Sequence, residues 1–287
     1  MHHDRACEMS ESGSSNLLRA ARMGRLGAVF GLAVFMLSTV PACEVGLGRA
    51  ADVPSSPTKE GPDDLLSRLD LVAIAPSVFV HTSYRDLPNV GIFPSNGLLL
   101  CTPGDGGLVD TAWSDDATKR LLDEAVARGC PIKHALFTHS HDDRTGGLAV
   151  LFARGVRVWA TAETTRLLAH PGFAPDPLEP PARVRLGGLD VDVLFPGPAH
   201  APDNLVVHVP AHRVLFGGCM IKSGDAKSLG NVKDASLTEW PAAVSRVSER
   251  FAKETTLVVP GHGAHGGVAL LEHTTDLLRK AAARAQP

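Results

Sequence analysis

This sequence of 287 residues has no excess of basic residues, few cysteines and a modest share of charged residues, and each of these features excludes a class of protein. Lys and Arg (28) do not outnumber Asp and Glu (31), which excludes a nucleic-acid binder that relies on neutralising phosphates. Five cysteines are too few for a scaffold built on disulfides. Charged residues make up 21% against 44% hydrophobic ones, which excludes a largely disordered chain. The 28 glycines and 21 prolines predict many turns, and the length suits one large α/β domain or two small ones.

Residues 1–42 are predicted to be a secretory signal. Three arginines between positions 19 and 25 precede an apolar run over residues 26–40, and small residues follow as far as Ala42. A basic flank, an apolar run and small residues in this order are typical of an export signal. The run is shorter than the roughly twenty residues of a transmembrane helix. A buried core helix is the other interpretation.

The sequence leaves the cleavage point of this signal open. Cys43 stands where a bacterial lipoprotein is processed, so a lipidated Cys43 would anchor the protein to a membrane. Cleavage directly before Cys43 or near Ala50 without lipidation is the alternative, and Met23 is an alternative start. Residues 43–65 are rich in Pro, Gly and Ser and are predicted to be a linker. An export signal predicts that the mature protein lies in the periplasm.

Runs of strand length alternate with helical patterns over the predicted domain, residues 66–287. Ser114 is predicted to cap a helix that ends at Gly129. Thr238 is predicted to cap a later helix, because this places Pro241 in its first turn. Since strands are followed by helices twice over, we predict an α/β fold in which two sheets pack face to face with helices outside.

The most informative segment, residues 138–147, reads THSHDDRTGG and directly follows a predicted strand over 132–137. Two imidazoles two residues apart, His139 and His141, can bind one cation from a tight loop. The carboxylate of Asp143 can reach a neighbouring position. A histidine taken alone is more often simply solvated, so this motif needs support from the rest of the chain.

Three further residues of ligand type occupy the same kind of position. His200, Cys219 and His262 each lie in a loop directly after an apolar run. Histidines that merely belong to a core would not be expected to share this position. The chain is therefore predicted to gather six possible metal ligands from separate loops.

With these residues the chain resembles a metallo-β-lactamase. More narrowly, it resembles the first subclass of class B, in which the second zinc site is Asp-Cys-His. The resemblance extends over about residues 78–278. It implies a four-layer αβ/βα sandwich that binds two Zn²⁺ ions in a groove at the sheet edges. Further matching segments are Ser95-Asn96-Gly97, Leu108-Val109-Asp110-Thr111, Gly218-Cys219-Met220-Ile221-Lys222, Lys227-Ser228-Leu229-Gly230-Asn231 and Leu271-Glu272-His273-Thr274.

The resemblance assigns ligands to each zinc ion. The first would be held by His139, His141 and His200, and the second by Asp143, Cys219 and His262. Three neutral imidazoles leave one coordination position open, and zinc in such a site lowers the pKa of its water to about 7. The thiolate of Cys219 needs a cation at neutral pH. Related lactone and thioester hydrolases usually carry a histidine where this chain has Arg144, which disfavours those activities.

The resemblance also implies hydrolysis of the amide bond of penicillins, cephalosporins and carbapenems. A zinc-bound hydroxide oriented by Asp143 would attack the carbonyl without a covalent acyl-enzyme, and the side chain of Asn231 would stabilise the oxyanion. Lys222 would bind the substrate carboxylate, with Asn231 as a second substrate contact. Arg144 would lie beneath the second zinc, and Asp110 would orient a ligand histidine.

Plainer interpretations stand beside these roles. Lys222 can be an ordinary surface lysine, Asn231 a turn residue, and Arg144 the partner of a surface acid. Cys101 and Cys130 are candidates for buried thiols, and in an exported protein a disulfide between them is an open alternative.

Two other functions fit the same ligands. One is another dizinc hydrolase of this fold that acts on a lactone, a thioester or a phosphoester. The other is an exported protein that sequesters zinc, although three histidines leave a coordination position open and structural zinc sites are usually closed. For the favoured function we expect a small β-lactam as partner, no nucleic acid, a monomer, and membrane contact only through a lipidated Cys43.

Overall fold

The structure is a computed structural model that describes residues 61–168 and 172–285. The predicted signal and most of the predicted linker lie outside these residues. The end of that linker belongs to a helix, α1 (Pro62–Ser67), which begins with proline and in which the Gly61 amide donates to the Asp64 carboxylate at 3.1 Å. Within the described part of the chain, no helix is both long enough and apolar enough to cross a bilayer.

The first sheet contains seven strands in chain order. They are β1 (Leu69–Ala75), β2 (Val78–Leu87), β3 (Gly91–Thr102), β4 (Asp105–Val109), β5 (Ile132–Leu136), β6 (Arg157–Ala160) and β7 (Asp176–Pro177). The strands β1 to β4 are antiparallel neighbours, whereas β4 to β7 run parallel. The parallel part requires crossovers, which carry the helices α2 (Asp115–Ala127), α3 (Asp142–Thr145), α4 (Leu148–Ala153) and α5 (Ala162–Leu167).

The second sheet contains five strands in the order β12-β11-β10-β9-β8. They are β8 (Ala182–Leu186), β9 (Leu189–Leu194), β10 (Val206–Val209), β11 (Val214–Gly218) and β12 (Leu257–Pro260). The helix α6 (Trp240–Phe251) lies between β11 and β12 in the chain, and α7 (Ala269–Ala285) follows β12. Only the pair β11 and β12 is parallel. Its C-terminal ends therefore lie side by side.

The two helix caps predicted from the sequence have different outcomes. Ser114 caps α2 as predicted, because its hydroxyl accepts the amide of Ala117 at 3.2 Å. The cap of α6 is Glu239 rather than Thr238. The amide of Glu239 donates to the hydroxyl of Ser236 at 3.3 Å, so the helix begins one residue later than predicted.

Alternation of side chains along the strands produces the layers. Val78, Leu98 and Val207 belong to a core between the two sheets. Their neighbours along the strands face the other way: Leu99 packs in a core that includes residues of α2 and α4, and Val206 packs in a core with α6 and α7. The order of layers is thus helices, sheet, sheet, helices, which confirms the predicted four-layer αβ/βα sandwich.

Strand ends from both sheets meet at one edge of this sandwich. The amide of Leu205 donates to the carbonyl of Thr138 at 2.7 Å, and the amide of Asn96 donates to the carbonyl of Gly261 at 2.9 Å. Both bonds join a segment of the first sheet to a segment of the second. The loops after β5, β11 and β12 are therefore fixed next to one another.

A disulfide settles the alternative left open for two cysteines. Cys101, near the end of β3, is bonded to Cys130, which follows α2, with 5.3 Å between the Cα atoms. The described residues contain one free cysteine, Cys219, and it is buried.

Candidate metal centre

Three histidines from two loops form the first group of possible ligands, which we call the histidine cluster. The rings of His139, His141 and His200 have centroids 4.7 to 5.2 Å apart and meet at angles between 78° and 88°. Nε2 of His200 lies 3.2 Å from Nδ1 of His141. The structure therefore brings together the three residues that were expected to share one ion.

The second group, which we call the mixed cluster, contains Asp143, Cys219 and His262. Sγ of Cys219 lies 3.2 Å from Oδ2 of Asp143 and 3.2 Å from Nε2 of His262. The distance between Nε2 of His262 and Oδ2 of Asp143 is also 3.2 Å, so the three ligand atoms form a triangle with equal sides. His139 has a possible ligand atom within 4.8 Å of those of Asp143 and Cys219, which makes the two clusters neighbours.

The distances between ligand atoms suit zinc. Zinc lies about 2.0 to 2.3 Å from nitrogen, oxygen or sulfur in a tetrahedral site, which separates the ligand atoms by about 3.3 to 3.8 Å. In addition, Nε2 of His139 is buried and has no hydrogen-bond partner among the described residues. A buried imidazole nitrogen without a partner costs free energy that a metal ion would recover. Imidazole, thiolate and carboxylate together are a ligand set that zinc accepts.

Burial sets the protonation of the ligands. It lowers the pKa of His139 well below its ordinary value and lowers the pKa of His200 to about 2. Both imidazoles are therefore neutral at pH 7, as a metal requires. Burial also raises the pKa of the Cys219 thiol well above its ordinary value. A cation is needed in the mixed cluster before Cys219 becomes a thiolate at neutral pH.

Arg144 is fully buried and supports the mixed cluster. Its Nε and Nη2 donate to Oδ2 of Asp143 at 2.9 and 2.7 Å, while Nη2 also donates to the Ser95 hydroxyl at 2.6 Å and the Gly261 carbonyl at 3.1 Å. Burial alone would raise the pKa of Asp143, but the guanidinium holds it well below its usual range. The alternative that Arg144 pairs with a surface acid is wrong, because its side chain is 0% exposed.

Asp110 reaches the histidine cluster through an intervening residue. Its Oδ1 accepts the amide of Thr138 and its Oδ2 accepts the hydroxyl of Thr138, each at 2.7 Å. The hydroxyl of Thr138 in turn lies 3.4 Å from Nδ1 of His139. Asp110 adopts a left-handed backbone with φ of 62°, a costly conformation that these two bonds stabilise. Asp110 thus fixes the backbone before His139, and its carboxylate reaches that ligand histidine through Thr138.

Both clusters lie at a groove of about 1020 Å³. Leu87 and Phe93, from the hairpin of β2 and β3, line it together with Lys222 and Asn231. Oδ1 of Asn231 accepts the amide of Lys233 at 3.1 Å, so Asn231 is a turn residue as well as a lining residue. The groove therefore combines possible metal ligands, a cation and an exposed amide.

Two carboxylates beside the histidine cluster were not among the predicted site residues. Oδ2 of Asp234 lies 3.2 Å from Nε2 of His141, and Oδ2 of Asp203 accepts the amide of Ser140 at 2.9 Å. Asp203 comes three residues after His200, which is a local signal for a supporting role. No local signal marks Asp234, which is 93 residues from His141 along the chain.

Comparison with known proteins decides the family. Residues 90–262, more than half of the chain, match the family model described as the metallo-beta-lactamase superfamily. The chain belongs to this superfamily. The match includes every residue of the histidine cluster and of the mixed cluster.

Named relatives within the superfamily agree with this assignment. The metallo-beta-lactamase type 2 of Bacillus cereus is 38% identical over 207 residues, which cover 71% of this chain and 80% of the relative. The metallo-beta-lactamase type 2 of Bacteroides fragilis is 33% identical over 217 residues, covering 74% and 86%. The predicted resemblance to class B metallo-β-lactamases is thereby confirmed.

Solved structures of metallo-beta-lactamases share the fold. The crystal structure of the metallo-beta-lactamase DIM-1 exposed to ceftazidime has a TM-score of 0.69 and 34% identity, and the alignment covers 74% of this chain and 97% of that one. The metallo-beta-lactamase FIM-1 from Pseudomonas aeruginosa, in a mono-zinc form, has a TM-score of 0.68 and 37% identity over 75% of this chain and 96% of that one. The fold of this chain therefore matches nearly the whole of both solved structures.

Proposed function

We propose that this protein is a zinc-dependent β-lactamase that hydrolyses the amide bond of penicillins, cephalosporins and carbapenems. The observation that carries the proposal is the 3.2 Å triangle of the mixed cluster beside the three imidazoles of the histidine cluster, both at an open groove. The names of the relatives in Bacillus cereus and Bacteroides fragilis support the same activity.

Zinc held by the two clusters would polarise a carbonyl group and activate a water molecule at neutral pH. The residues around it do the rest. Oδ2 of Asp143 is the proposed metal ligand and also accepts two hydrogen bonds from Arg144, so the other carboxylate oxygen would orient a water molecule in the groove. The ammonium of Lys222 attracts the carboxylate of the substrate. Since Oδ1 of Asn231 is occupied, its amide nitrogen is left to donate to the oxygen of the reacting carbonyl.

A covalent acyl-enzyme is not part of this proposal. Ser140, Ser223 and Ser228 line the groove, but in the part of the chain that the structure describes none of their hydroxyls is bonded to a histidine or a lysine. Activation of a serine nucleophile requires such a base within hydrogen-bond distance. Cys219 is 2% exposed and lies among the ligand atoms of the mixed cluster, where it is needed as a ligand.

We propose that two zinc ions are bound, one in each cluster. The test uses purified protein without the predicted signal, assayed with one penicillin, one cephalosporin and one carbapenem while bound zinc is counted in the same sample. We expect two zinc ions, turnover of all three drugs, loss of activity in a chelator and recovery with added zinc. Activity that survives complete metal removal would contradict the proposal. Turnover of a lactone, thioester or phosphoester without any turnover of the three drugs would indicate the alternative hydrolase.

We also propose that the protein is exported to the periplasm and acts there as a monomer. The disulfide between Cys101 and Cys130 supports export, because such bonds persist in oxidising compartments. Fractionation of expressing cells tests the location, and mass spectrometry of the N-terminal peptide tests whether Cys43 carries lipid. Sedimentation of the purified protein tests the oligomeric state. Retention of the protein in the cytoplasm would contradict this proposal without touching the enzymatic one.

A further inference from the structure

Trp240, the first residue of α6, lies beside His200 of the histidine cluster and is bonded to the residue that follows Cys219 of the mixed cluster. Its side chain is 0% exposed. Its Nε1 donates to the carbonyl of Met220 at 2.9 Å, and Met220 directly follows Cys219 of the mixed cluster. Its ring meets the ring of His200, from the histidine cluster, with centroids 5.9 Å apart and 66° between the planes. One indole thus contacts a ligand residue of the histidine cluster and the backbone next to a ligand residue of the mixed cluster.

The same indole holds the lysine of the groove. Nζ of Lys222 lies 5.3 Å from the centroid of the Trp240 ring, within the range of a cation–π interaction. The backbone of Lys222 is fixed as well, since its amide donates to the hydroxyl of Thr274 at 2.9 Å. Within residues 61–168 and 172–285, the ammonium forms no ion pair with a carboxylate. An anion that enters the groove therefore meets an ammonium group whose position is fixed by Trp240 and Thr274 and which forms no direct ion pair in this part of the chain.

The hydrogen bond to Met220 distinguishes this arrangement from ordinary packing. Trp240 belongs to a core cluster with α7, and any large apolar side chain would fill that space. The bond from Nε1 fixes the rotation of the indole about its side-chain torsions. With this rotation fixed, one contact of the ring is with Lys222 and another is with His200. A purely apolar residue would provide the volume without either orientation.

We propose that Trp240 is a positioning residue with two roles. Its ring holds the Lys222 ammonium in place for a substrate carboxylate, and its contact with His200 fixes the orientation of one zinc ligand. This inference rests on the proposed β-lactamase function and adds a determinant of substrate selection to it. Recognition of the substrate carboxylate then depends on a residue that never touches the substrate.

The test compares Trp240→Leu, Trp240→Phe and the control Phe251→Leu. Phe251 lies at the other end of α6, is 1% exposed and contacts His208, so its replacement disturbs the same core away from the groove. Each zinc-loaded variant is assayed with a penicillin and with its methyl ester, which lacks the negative charge. Zinc affinity is measured separately by competition with a chromophoric chelator, and folding is checked by circular dichroism.

For Trp240→Leu we expect the KM for the penicillin to rise about fivefold while the KM for the ester and both kcat values change little, because about this factor is lost with a cation–π contact. We expect its zinc affinity to fall about tenfold, as is typical when support of a ligand is removed. Trp240→Phe keeps an aromatic ring that forms a weaker cation–π interaction than tryptophan, so its KM for the penicillin should rise about twofold. Phe251→Leu should show none of these selective changes.

Equal changes of KM for the penicillin and the ester in Trp240→Leu would overturn the proposal, as would the same selectivity in Phe251→Leu. If Trp240→Leu does not fold, the selective effect in Trp240→Phe decides. If the wild-type protein turns over neither substrate, the β-lactamase function itself fails. The zinc affinities of Trp240→Leu and Phe251→Leu still test the contact with His200 in that case, and equal affinities would refute it.

Discussion

The histidine cluster and the mixed cluster are neighbours, yet the protein supports them in different ways. The mixed cluster contains a buried carboxylate, Asp143, and the chain places a fully buried cation, Arg144, at 2.7 Å from it. The histidine cluster contains two buried neutral rings, His139 and His200, which need only to be oriented. Its support is a set of carboxylates that act through the backbone or at the edge of a ring: Asp110, Asp203 and Asp234. A buried charge needs an opposite charge beside it whether or not a metal is present, whereas a buried neutral imidazole carries no charge to compensate.

This difference has a consequence for metal binding. The guanidinium of Arg144 already compensates Asp143 and repels any second cation that approaches the mixed cluster. Among the described residues, no lysine or arginine is hydrogen-bonded to a ring of the histidine cluster. We therefore expect the histidine cluster to bind its zinc ion more tightly than the mixed cluster. The predictions that follow test this difference, one of them with a change that should leave both clusters unaffected, and the expected free energies decrease from one to the next.

Replacement of Arg144 should have the largest effect. In the metal-free protein, Arg144→Gln leaves Asp143 and Asp110 buried without their cation, which should lower the free energy of unfolding by about 3 to 5 kcal/mol. In the zinc-loaded protein the loss should be smaller, because the ion then compensates Asp143. Urea unfolding with and without zinc measures both values.

The control for this prediction is an arginine in a similar bond at the surface. Arg183 donates to Asp192 at 2.6 Å, but its side chain is 62% exposed. Arg183→Gln should therefore lower the free energy of unfolding far less than Arg144→Gln does, with or without zinc. Similar losses in the two arginine variants would show that Arg144 has no special role. If Arg144→Gln lowered the free energy of unfolding equally with and without zinc, the guanidinium of Arg144 would not be compensating Asp143 in place of a metal ion.

The disulfide should contribute nearly as much stability without affecting either cluster. Its cysteines are 29 residues apart, and the double variant Cys101→Ser with Cys130→Ser should lose about 3 to 4 kcal/mol of unfolding free energy through a less restricted unfolded chain. Since Cys101 lies near the end of β3 while Ser95, which contacts Arg144, lies near the middle of that strand, zinc content should not change. A reductant should destabilise the wild type and leave the variant unaffected. Loss of zinc from the variant would link the bond to the site.

The sequence led us to expect that the six candidate ligands lie together, but of the residues that support them it indicated only Arg144 and Asp110, for a physical reason. A ligand in the loop after a strand is marked locally, because the apolar run before it fixes its place at a sheet edge. The supports depend on how elements distant in the chain pack. The side chain of Asn96 donates to the carbonyl of Pro260, which is 164 residues away in the chain, and no sequence pattern near either residue predicts this bond. The position of Trp240 depends likewise on the rotation of α6, which is decided by core packing.

Cys219→Ser should disrupt the mixed cluster alone. A serine hydroxyl stays protonated where a thiolate would bind zinc, so the variant should retain one zinc ion and lose about a hundredfold in kcat/KM. This factor corresponds to about 2.7 kcal/mol. Zinc content and steady-state kinetics on the same preparation measure both effects. His139→Gln is the counterpart: because His139 borders both clusters, its variant should retain less zinc than Cys219→Ser. The reverse order of zinc content would contradict the assignment of ligands.

Asp234→Asn should produce the smallest effect and confine it to the histidine cluster. A carboxylate only accepts, so Asp234 holds the proton of His141 on Nε2 and leaves Nδ1 to bind a metal. An amide does this less well, and zinc affinity of that cluster should fall about tenfold, which corresponds to about 1.4 kcal/mol. Asp225→Asn is the control, since Asp225 lines the same groove and is bonded to Ser223 instead of an imidazole. A two-site zinc titration separates the clusters. If Asp234→Asn weakened the mixed cluster instead, the division of support between the clusters would be wrong, because Asp234 bonds a ring of the histidine cluster alone.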